Sequence, residues 1–403
     1  MANWPLVPLG DLAAPDDSAI AIGPFGSRMK TDTYVDSGVA VIRGQNVTDD
    51  GHLTGDFVYV SEEFASSLGP ARLLPGDIVL PHRGAIGRAA LVPEGDYVMS
   101  TSLMRIRLDR TRAFPAYVRS YLCSDVGRQE ILKFASTVGT PGIGQPLTSL
   151  RQIRVPLAPI KEQLRIAGVL GAVDDLIDIN LVQVASLTSL VQAEFELRFR
   201  QRDLSLTIAD VAAVVDCLHS KKPERAPAGG VLLQLNNILD SGLLDLADAY
   251  LIEHDDYVRW TKNLETQQWD CVITNVGRVG AVARIPADVS AALGRNMTAI
   301  RPQRPNQDGA FIVAALRSPA VRREIELWTD AGTILNALNV RSIPKLRLQN
   351  ASTSEREIFQ AFAAPLLTLA DSLHDESINL ARQRNELLPL LLSGRVRVDG
   401  VAA

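Results

Sequence analysis

Residues 77–93 read DIVLPHRGAIGRAALVP, and residues 270–286 read DCVITNVGRVGAVARIP. The two stretches align without a gap, and the positions that they share are Asp77, Val79, Gly84, Gly87, Ala90 and Pro93. The match continues upstream, where IRGQNV at 42–47 corresponds to LQLNNI at 233–238, and it continues downstream in the same order. An ordered series of matches with insertions of a few residues is typical of an internal repeat. The sequence therefore predicts two copies of one structural unit.

Length and composition set broad limits on the protein class. A chain of 403 residues is too long for one ordinary core, so two or more domains are expected. A hydrophobic share of 46% and a charged share of 22% are typical of soluble globular proteins. No uninterrupted apolar run approaches the roughly 18 residues of a membrane span, and the N-terminus lacks the features of a signal peptide. We therefore expect a cytoplasmic protein with no membrane partner.

Cysteine and histidine give no sign of a metal site. The three cysteines, Cys123, Cys217 and Cys271, are far apart and form no CxxC pair, and the five histidines show no ligand spacing. The sequence predicts reduced, partly buried thiols, no metal and no cofactor.

Charge is unevenly distributed along the chain. The formal net charge is −5, but residues 101–160 carry nine lysines and arginines against three acidic residues, and residues 276–350 carry eleven against five. Two separated segments of local charge +6 favour two binding sites for a polyanion. Two solvated basic faces with no ligand would give the same pattern.

Each copy begins with a head of about 150 residues and ends with a long helix. Short β-branched runs punctuated by glycine and proline, at 39–42, 57–60, 77–80 and 89–92, indicate strands, and helical spacing follows at 115–136 and 309–329. The fold class is predicted to be α+β. The predicted domains are a first head at 1–160, a central helix at 161–203, a second head at 204–351, a distal helix at 352–393 and a tail at 394–403.

The two long helices carry a heptad pattern of apolar residues. The predicted seam consists of Leu170, Val173, Ile177, Asn180, Val184, Leu187, Leu366, Leu373, Leu380 and Leu387. Ser352 stands three residues before Glu355, which predicts a capping box at the start of the distal helix. Pro389 is expected to end or kink that helix near its last turn.

Two helices of similar length in one register are expected to pair with each other. Because a head lies between them in sequence, the favoured arrangement is an antiparallel coiled coil with a pseudo-two-fold internal repeat, in which Asn180 fixes the register. A 35-residue helix spans roughly 50 Å. In the alternative, each helix packs only onto its own head.

The quoted motifs resemble those of a known family. The strings IGPFGS at 22–27, YVDSG at 34–38, VIRGQNV at 41–47, GDIVL at 76–80 and IRVPLAPIKEQ at 153–163 are similar to the first half of specificity subunits of type I restriction–modification systems. The resemblance covers nearly the whole chain and includes the duplicated layout. The second copy departs more, because it has HSKKP at 219–223 and STSE at 352–355 in place of the corresponding strings.

The resemblance implies a non-catalytic subunit that selects the DNA sequence. In that family two target-recognition domains each read one half of a split, asymmetric target. The long helices fix the gap between the halves and dock two adenine-methyltransferase subunits, and complete systems add ATP-dependent restriction subunits. Double-stranded DNA and these subunits are therefore the expected partners.

Candidate DNA-binding residues follow from the chemistry of phosphate and base contacts. The predicted set is Arg28, Lys30, Arg43, Gln45, Asn46, Arg83, Arg88, Arg105, Lys221, Lys222, Asn236, Asn237, Arg278 and Arg284. The paired glycines beside Arg83 and Arg88 would let the backbone approach a phosphate, but a hairpin turn requires glycine for its dihedral angles alone. Asn46 and Asn237 have base-reading chemistry, but a buried amide that satisfies backbone groups would be shared by both copies in the same way.

Residues that set sequence choice should differ between the copies. This criterion selects the segments 25–30 and 219–222, and the loops 137–145 and 332–336.

Two other functional classes remain open. A catalytic DNA methyltransferase is disfavoured, because the chain lacks an Asn/Asp-Pro-Pro-aromatic motif, and the glycine-rich loop at 139–144 contains Pro141 and no lysine. A two-headed protein-interaction scaffold, or a specificity subunit of a related methylation-based phage-defence system without a nuclease, would have the same layout.

Overall fold

The duplicated glycine turn joins two antiparallel strands in each copy. The computed structural model describes residues 4–24, 28–136, 141–330 and 336–397. The fold is α+β, as predicted, and the chain divides into two units. Unit 1 comprises Met1–Leu176 and Leu380–Ala403, and unit 2 comprises Ile177–Asn379.

Unit 1 contains the first head. Its strands are β1 (Leu6–Pro8), β2 (Ile20–Ile22), β3 (Tyr34–Val35), β4 (Val39–Ile42), β5 (Val58–Val60), β6 (Arg72–Leu73), β7 (Ile78–Pro81), β8 (Ala90–Leu91), β9 (Tyr97–Met99), β10 (Leu103–Ile106), β11 (Ala135–Ser136), β12 (Gly142–Ile143) and β13 (Arg154–Pro156). Its helices are α1 (Glu62–Ser67), α2 (Pro115–Cys123), α3 (Asp125–Leu132), α4 (Pro146–Gln152) and the first part of α5 (Ile160–Phe199). The helical segment predicted at 115–136 is two helices, because Ser124 leaves the helical conformation and its side chain caps α3.

Unit 2 contains the second head. Its strands are β14 (Leu204–Thr207), β15 (Ala212–Asp216), β16 (Gly230–Leu233), β17 (Leu251–Ile252), β18 (Cys271–Thr274), β19 (Val282–Arg284), β20 (Ala291–Leu293), β21 (Met297–Pro302), β22 (Thr329–Asp330), β23 (Ala337–Leu338) and β24 (Arg347–Gln349). Its helices are the second part of α5, α6 (Ile208–Val211), α7 (His254–Trp260), α8 (Pro305–Arg317), α9 (Pro319–Leu327) and most of α10 (Thr353–Leu392), whose end belongs to unit 1.

The two heads share the topology of one four-stranded sheet. The first has an antiparallel sheet in the order β2-β10-β7-β8, and the second has the order β15-β21-β18-β19. In each head a parallel pair, β4 with β9 or β16 with β20, belongs to a second sheet. Four-residue apolar strands that are buried along their whole length, β7 and β18, lie inside these sheets. The second sheet has five strands in the first head and three in the second, so the repeat in the sequence is a repeat of the four-stranded sheet and of the parallel pair.

The shared glycines adopt backbone angles that other residues avoid. Gly84 and Gly87 have φ angles of 77° and 87°, and Gly277 and Gly280 have φ angles of 87° and 77°. The dihedral requirement explains both pairs. A Cβ added at Gly84 would meet nothing within 4 Å, so this turn is also open to an approaching ligand.

Halves of the two 40-residue helices meet inside each unit. In unit 1, Asp174 of α5 accepts a hydrogen bond of 2.6 Å from Arg384 of α10. In unit 2, Asn180 of α5 donates a 3.1 Å hydrogen bond to Glu376 of α10, and the rings of Phe195 and Phe359 lie 5.6 Å apart. In unit 2, a later position of α5 therefore meets an earlier position of α10, as in an antiparallel pair.

The buried face of the helices drifts relative to the predicted seam. Leu170, Asn180 and Val184 are buried, whereas Val173, Ile177, Leu187, Leu366, Leu373 and Leu380 are only half-buried. The prediction for Leu387 is wrong, because its side chain is 37% exposed and the next residue, Leu388, is buried instead. A straight helix has 3.6 residues per turn rather than 3.5, so its buried face moves toward later positions along the chain.

The long helices also pack against their own heads. In unit 2 the rings of Phe195 and Phe199 lie 5.5 and 5.3 Å from that of Phe311 in α8. In unit 1 Ile166 and Leu170 share a core with Ile78 and Tyr117 of the head. Inside each unit, α5 therefore contacts both α10 and the head, so the structure does not fit the alternative in which each helix packs only onto its own head.

The ends of α10 follow the predicted signals. Glu355 accepts from the Ser352 backbone N–H at 2.8 Å, and Ser352 accepts from the Glu355 N–H at 3.3 Å, which is the expected capping box. The helix ends at Leu392, within one turn of Pro389.

Helix α5 is long and apolar enough, by length and composition alone, to cross a membrane. An 18-residue window in it has a mean hydropathy of 1.3, although no uninterrupted apolar run of that length exists. The first half of α5 contributes side chains to the core of unit 1, and the second half contributes to the core of unit 2. This burial accounts for the apolar residues on one face of the helix.

Candidate nucleic-acid interface

A short 3-10 turn in each head holds the predicted base-reading residues. It spans Gly44–Asn46 in the first head and Leu235–Asn237 in the second, directly after β4 and β16. Asn46 is buried, accepts from the Arg43 backbone N–H at 3.0 Å and donates to the carbonyls of Thr54 and Asp56. Asn237 is also buried, accepts from the Gln234 N–H at 2.7 Å and donates to the Asp245 carbonyl.

These contacts correct two predictions. Asn46 and Asn237 are occupied by backbone groups inside the protein, so neither amide is available to a base. The buried-amide interpretation is the one that fits both copies. Their neighbours Gln45 and Asn236 are exposed at the tip of the same turn, so the turn presents one amide side chain outward in each head.

An arginine fastens each 3-10 turn to the glycine turn. In the first head Arg88 donates to the Val47 carbonyl at 3.0 Å and pairs with Asp49. In the second head Arg278 donates to the Ile238 carbonyl at 2.7 Å and pairs with Asp240. Arg88 follows the second glycine of its turn and Arg278 follows the first, so the same contacts are made from non-equivalent positions. Both side chains hold the turn in place, and their guanidinium groups are already engaged.

Two further predicted arginines lie in the protein core. Arg105 is 1% exposed and binds Asp77 at 2.9 Å, and Arg284 is 2% exposed and binds Asp371 at 2.5 Å. A fully buried arginine with a paired carboxylate is a structural ion pair. Arg105 and Arg284 are therefore removed from the candidate interface. Arg43, which is half-buried, donates to the Asp56 carbonyl at 2.8 Å and supports the loop that follows the turn.

Several predicted residues of the first head are exposed. Arg28, Lys30 and Arg83 have exposed side chains, and a bridge between the backbones of Arg83 and Gly142 brings the end of β7 to β12. An added Cβ at Gly44 would lie 3.8 Å from the Arg83 carbonyl oxygen, so the 3-10 turn with Gln45 is close to Arg83. The candidate residues 25–27, 137–140 and 332–335 lie outside the described residues.

The basic pair of the second head is also exposed. The Nζ of Lys222 lies 3.6 Å from the centre of the Tyr250 ring, while Lys221 is exposed beside it. Partial burial and then the charge of Arg225 lower the pKa of Lys222. A cation held over an aromatic face keeps its position while it still offers donors to a ligand.

Sequence reasoning missed Arg295. This exposed residue lines a cavity of about 330 Å³ together with Lys222 and Asn236. Its one sequence signal is its position in the local +6 segment, between the two strands β20 and β21.

One group in the described part of the chain has the side chains of a metal site. The ligand atoms of Asp216, Cys217 and His219 all lie within 4.8 Å of one another, and His219 Nε2 lies 2.8 Å from Asp216. Burial raises the pKa of the Cys217 thiol, which opposes the thiolate that a metal would require. These residues are a poor fit to a metal, and the absence of a cofactor stays a prediction.

Comparison with known proteins gives one relative and several structures. No family model matches the sequence. The chain is 20% identical over 395 residues to a protein of Methanocaldococcus jannaschii provisionally described as a type I restriction enzyme MjaX specificity subunit, and the match covers 90% of this chain and 88% of the relative. The crystal structure of the type I restriction–modification system S subunit from M. genitalium superposes with a TM-score of 0.63 at 14% identity, covering 99% of this chain and 97% of that chain.

The HsdS subunit from Thermoanaerobacter tengcongensis matches at 16% identity over 98% of each chain, with a TM-score of 0.34. The superposition on the M. genitalium subunit shows a common fold. The sequence similarity to the M. jannaschii protein covers nine-tenths of this chain. In sequence and in fold, this protein is therefore similar to the specificity subunits of type I restriction–modification systems, as its motifs predict.

Proposed function

We propose that the chain is the DNA-recognition subunit of a type I restriction–modification complex and has no catalytic activity of its own. One observation carries the proposal. The two heads share the strand order of their four-stranded sheets, the glycine turns and a buried asparagine in the 3-10 turn, while the exposed residue at the tip of that turn is Gln45 in one head and Asn236 in the other. A common framework that presents an exposed amide on a side chain of different length in each head suits a target made of two different halves.

In this proposal each head binds double-stranded DNA and reads one half of an asymmetric, bipartite target. Exposed cations, such as Arg28, Lys30, Arg83, Lys221 and Lys222, contact phosphates and position the heads. Gln45 and Asn236 read bases. We place this activity in the cytoplasm.

The long helices have two proposed roles. As an antiparallel coiled coil in a pseudo-two-fold arrangement, they set the gap between the half-sites. Apolar side chains on α5 that remain exposed, Ile179, Val182, Leu190 and Leu197, support the second role, which is to dock two adenine-methyltransferase subunits. Val182 and Leu197 are 66% and 79% exposed, and their spacing is that of one helix face.

The decisive experiment is methylome sequencing of cells that express the chain with the methyltransferase subunits of its host. We expect N6-methyladenine at a split motif with two different halves. Cells that lack the chain are the control, and methylation without a sequence preference would contradict the proposal. The purified chain alone should transfer no methyl group, and activity without partners would favour the methyltransferase alternative.

Docking has its own test. Val182→Glu with Leu197→Glu should abolish co-purification with the methyltransferase subunits. Leu327→Glu, on an exposed apolar residue of α9, is the matched control and should leave co-purification unchanged. Equal loss in both variants would contradict docking on α5.

A further inference from the structure

A basic cavity lies at the tip of the second head. Leu232, Leu235 and Trp260 form its apolar part, and Lys222, Asn236 and Arg295 supply nitrogen donors. The cavity has a volume of about 330 Å³, and no carboxylate lines it among the described residues. Gln234 and Asn296 also line it, so a site with two cations, three amides and no acid has the chemistry to bind a group that is rich in hydrogen-bond acceptors.

The backbone that carries Arg295 is held in place. The Gly294 N–H donates to the Leu233 carbonyl at 2.9 Å, and a Cβ at Gly294 would lie 2.1 Å from that oxygen. On the other side, the Asn296 carbonyl accepts from the Asn275 N–H at 2.8 Å, and Asn296 has a φ of 66°. The turn between β20 and β21 is therefore fixed against β16 and β18.

The guanidinium group of Arg295 is nevertheless free. Within the described residues it has no hydrogen bond or ion pair, whereas Arg278, Arg284 and Arg301 of the same head are all paired with carboxylates. An arginine without partners on a fixed backbone adds no hydrogen bond or ion pair to the stability of the fold. It does place an unengaged fork of donors at a fixed point of the backbone, where an external ligand can use it.

The first head has no equivalent arginine. The Ser100 N–H donates to the Ile42 carbonyl at 2.9 Å, as Gly294 does to Leu233, so Thr101 is the counterpart of Arg295. The donor is therefore specific to the second copy. A residue that sets the sequence of one half-site is expected to differ in this way.

We propose that this cavity is the base-reading site of the second head, and that Arg295 recognises guanine in its half-site. The guanidinium fork matches the O6 and N7 acceptors of guanine in the major groove, while Lys222 contacts a neighbouring phosphate. Asn236 supplies a second donor at the rim. This inference rests on the proposed function and names the residue and the base at which the second head discriminates.

The test is selection of DNA from a pool of duplexes with a randomised centre, followed by sequencing. The full-length chain, Arg295→Ala and Arg295→Lys are compared at low salt. Wild-type protein should enrich a split motif with a fixed guanine in one half. Arg295→Ala should lose on the order of tenfold to a hundredfold preference at that base and leave the other half unchanged.

Arg295→Lys keeps the charge but lacks the fork, so it should relax the same base while retaining more overall affinity. Arg323→Ala, on an exposed arginine of α9 that does not line the cavity, is the matched control and should keep the wild-type motif. Circular dichroism confirms that each variant is folded.

The outcomes separate the two proposals. A wild-type motif that persists in Arg295→Ala overturns the base-reading role alone. Equal weakening on every sequence, with the motif intact, also overturns it and assigns Arg295 to a phosphate. A wild-type chain that enriches no motif overturns the proposed function and, with it, this inference.

Discussion

Asn180 of α5 and Glu376 of α10 are joined by a hydrogen bond of 3.1 Å, and Asn180 is buried. The polar break in the heptad pattern is thus matched by a polar side chain on the other long helix. A polar pair within an apolar seam favours one register, because a shifted register would leave the amide without a partner.

Asn180→Ala should lower the free energy of unfolding of unit 2 by about 1 kcal/mol, because one hydrogen bond to an exposed carboxylate is lost. Urea unfolding checks the value. Glu376→Gln retains an acceptor and should lie close to wild type. A loss as large in Glu376→Gln would show that the charge, rather than the hydrogen bond, matters.

Arg284→Ala should be far more damaging. It leaves the carboxylate of Asp371 without its partner in a largely buried position, and breaking such a pair costs about 3–5 kcal/mol. Burial already raises the pKa of Asp371, and Arg284 opposes that rise. A carboxyl with a raised folded-state pKa destabilises the fold as the pH rises through that pKa, so the deficit should be smaller in acid.

Urea unfolding at several pH values measures this deficit. The double variant Arg284→Met with Asp371→Leu removes both charges and should recover most of the stability. A double variant as unstable as Arg284→Ala would contradict the explanation by a stranded charge.

His82→Asn should change how unit 1 responds to acid. Burial lowers the pKa of His82 below its usual 6.5, although the Thr101 carbonyl opposes this effect. The unfolded chain then binds a proton before the folded one, so stability should fall as the pH drops below about 6.5, by at most about 1.4 kcal/mol per pH unit.

Asn275 occupies the equivalent place in the second head, which makes asparagine a natural replacement. Hydrogen exchange of unit 1 between pH 5 and 7, corrected for the intrinsic exchange rate, measures the effect in both proteins. The slope of the unfolding free energy against pH should be smaller in His82→Asn than in the wild type. An equal slope in both proteins would exclude His82 as the source of the pH dependence.

Arg83→Ala should weaken DNA binding on all sequences and reduce the salt slope of binding by about one, because the exposed guanidinium contacts a phosphate in the proposed function. Binding isotherms at several salt concentrations give the slope. Gln45→Ala is the contrasting variant, since it should change the preference at a single base. A change of base preference in Arg83→Ala would mean that this side chain reads sequence.

Removing residues 176–182 together with 374–380 should shorten the gap in the target. One heptad from each helix takes away roughly 10 Å, which corresponds to about three base pairs. Methylome sequencing reports the gap directly. Deletion from one helix alone is the control, because it breaks the register instead. An unchanged gap in the matched deletion would contradict the role of the helices as a spacer.

Local features of the fold could be predicted from the sequence. Strands such as β4 follow from short apolar runs, and the glycines at 84 and 87 mark a turn because few other residues adopt positive φ. The Ser352 cap of α10 is equally local. Each of these depends on neighbours within a few positions, so the sequence contains the whole cause.

The candidate site could be predicted only in part, because the state of a polar side chain depends on distant partners. Arg105 is buried and donates a hydrogen bond to Asp77, which lies 28 positions away in the sequence. Arg284 is buried and donates to the Leu367 carbonyl, which lies 83 positions away. The local charge of +6 therefore counts arginines that never reach the surface. Arg295 escaped notice for the opposite reason, since what sets it apart is its place in a cavity with Lys222 and Asn236, which are 73 and 59 positions away.

The division of the chain has a consequence for its synthesis. The core of unit 1 includes Leu388, Leu391 and Leu392, which are translated after the whole of Ile177–Asn379. At about 5–20 residues per second, the ribosome needs roughly 10–40 s to reach them. During that interval Ile166 and Leu170 lack part of their apolar cover. A nascent chain of this protein should therefore depend on chaperones most strongly just before residues 388–392 are translated, and stop codons placed between Asn379 and Leu388 should impair the first head rather than the second.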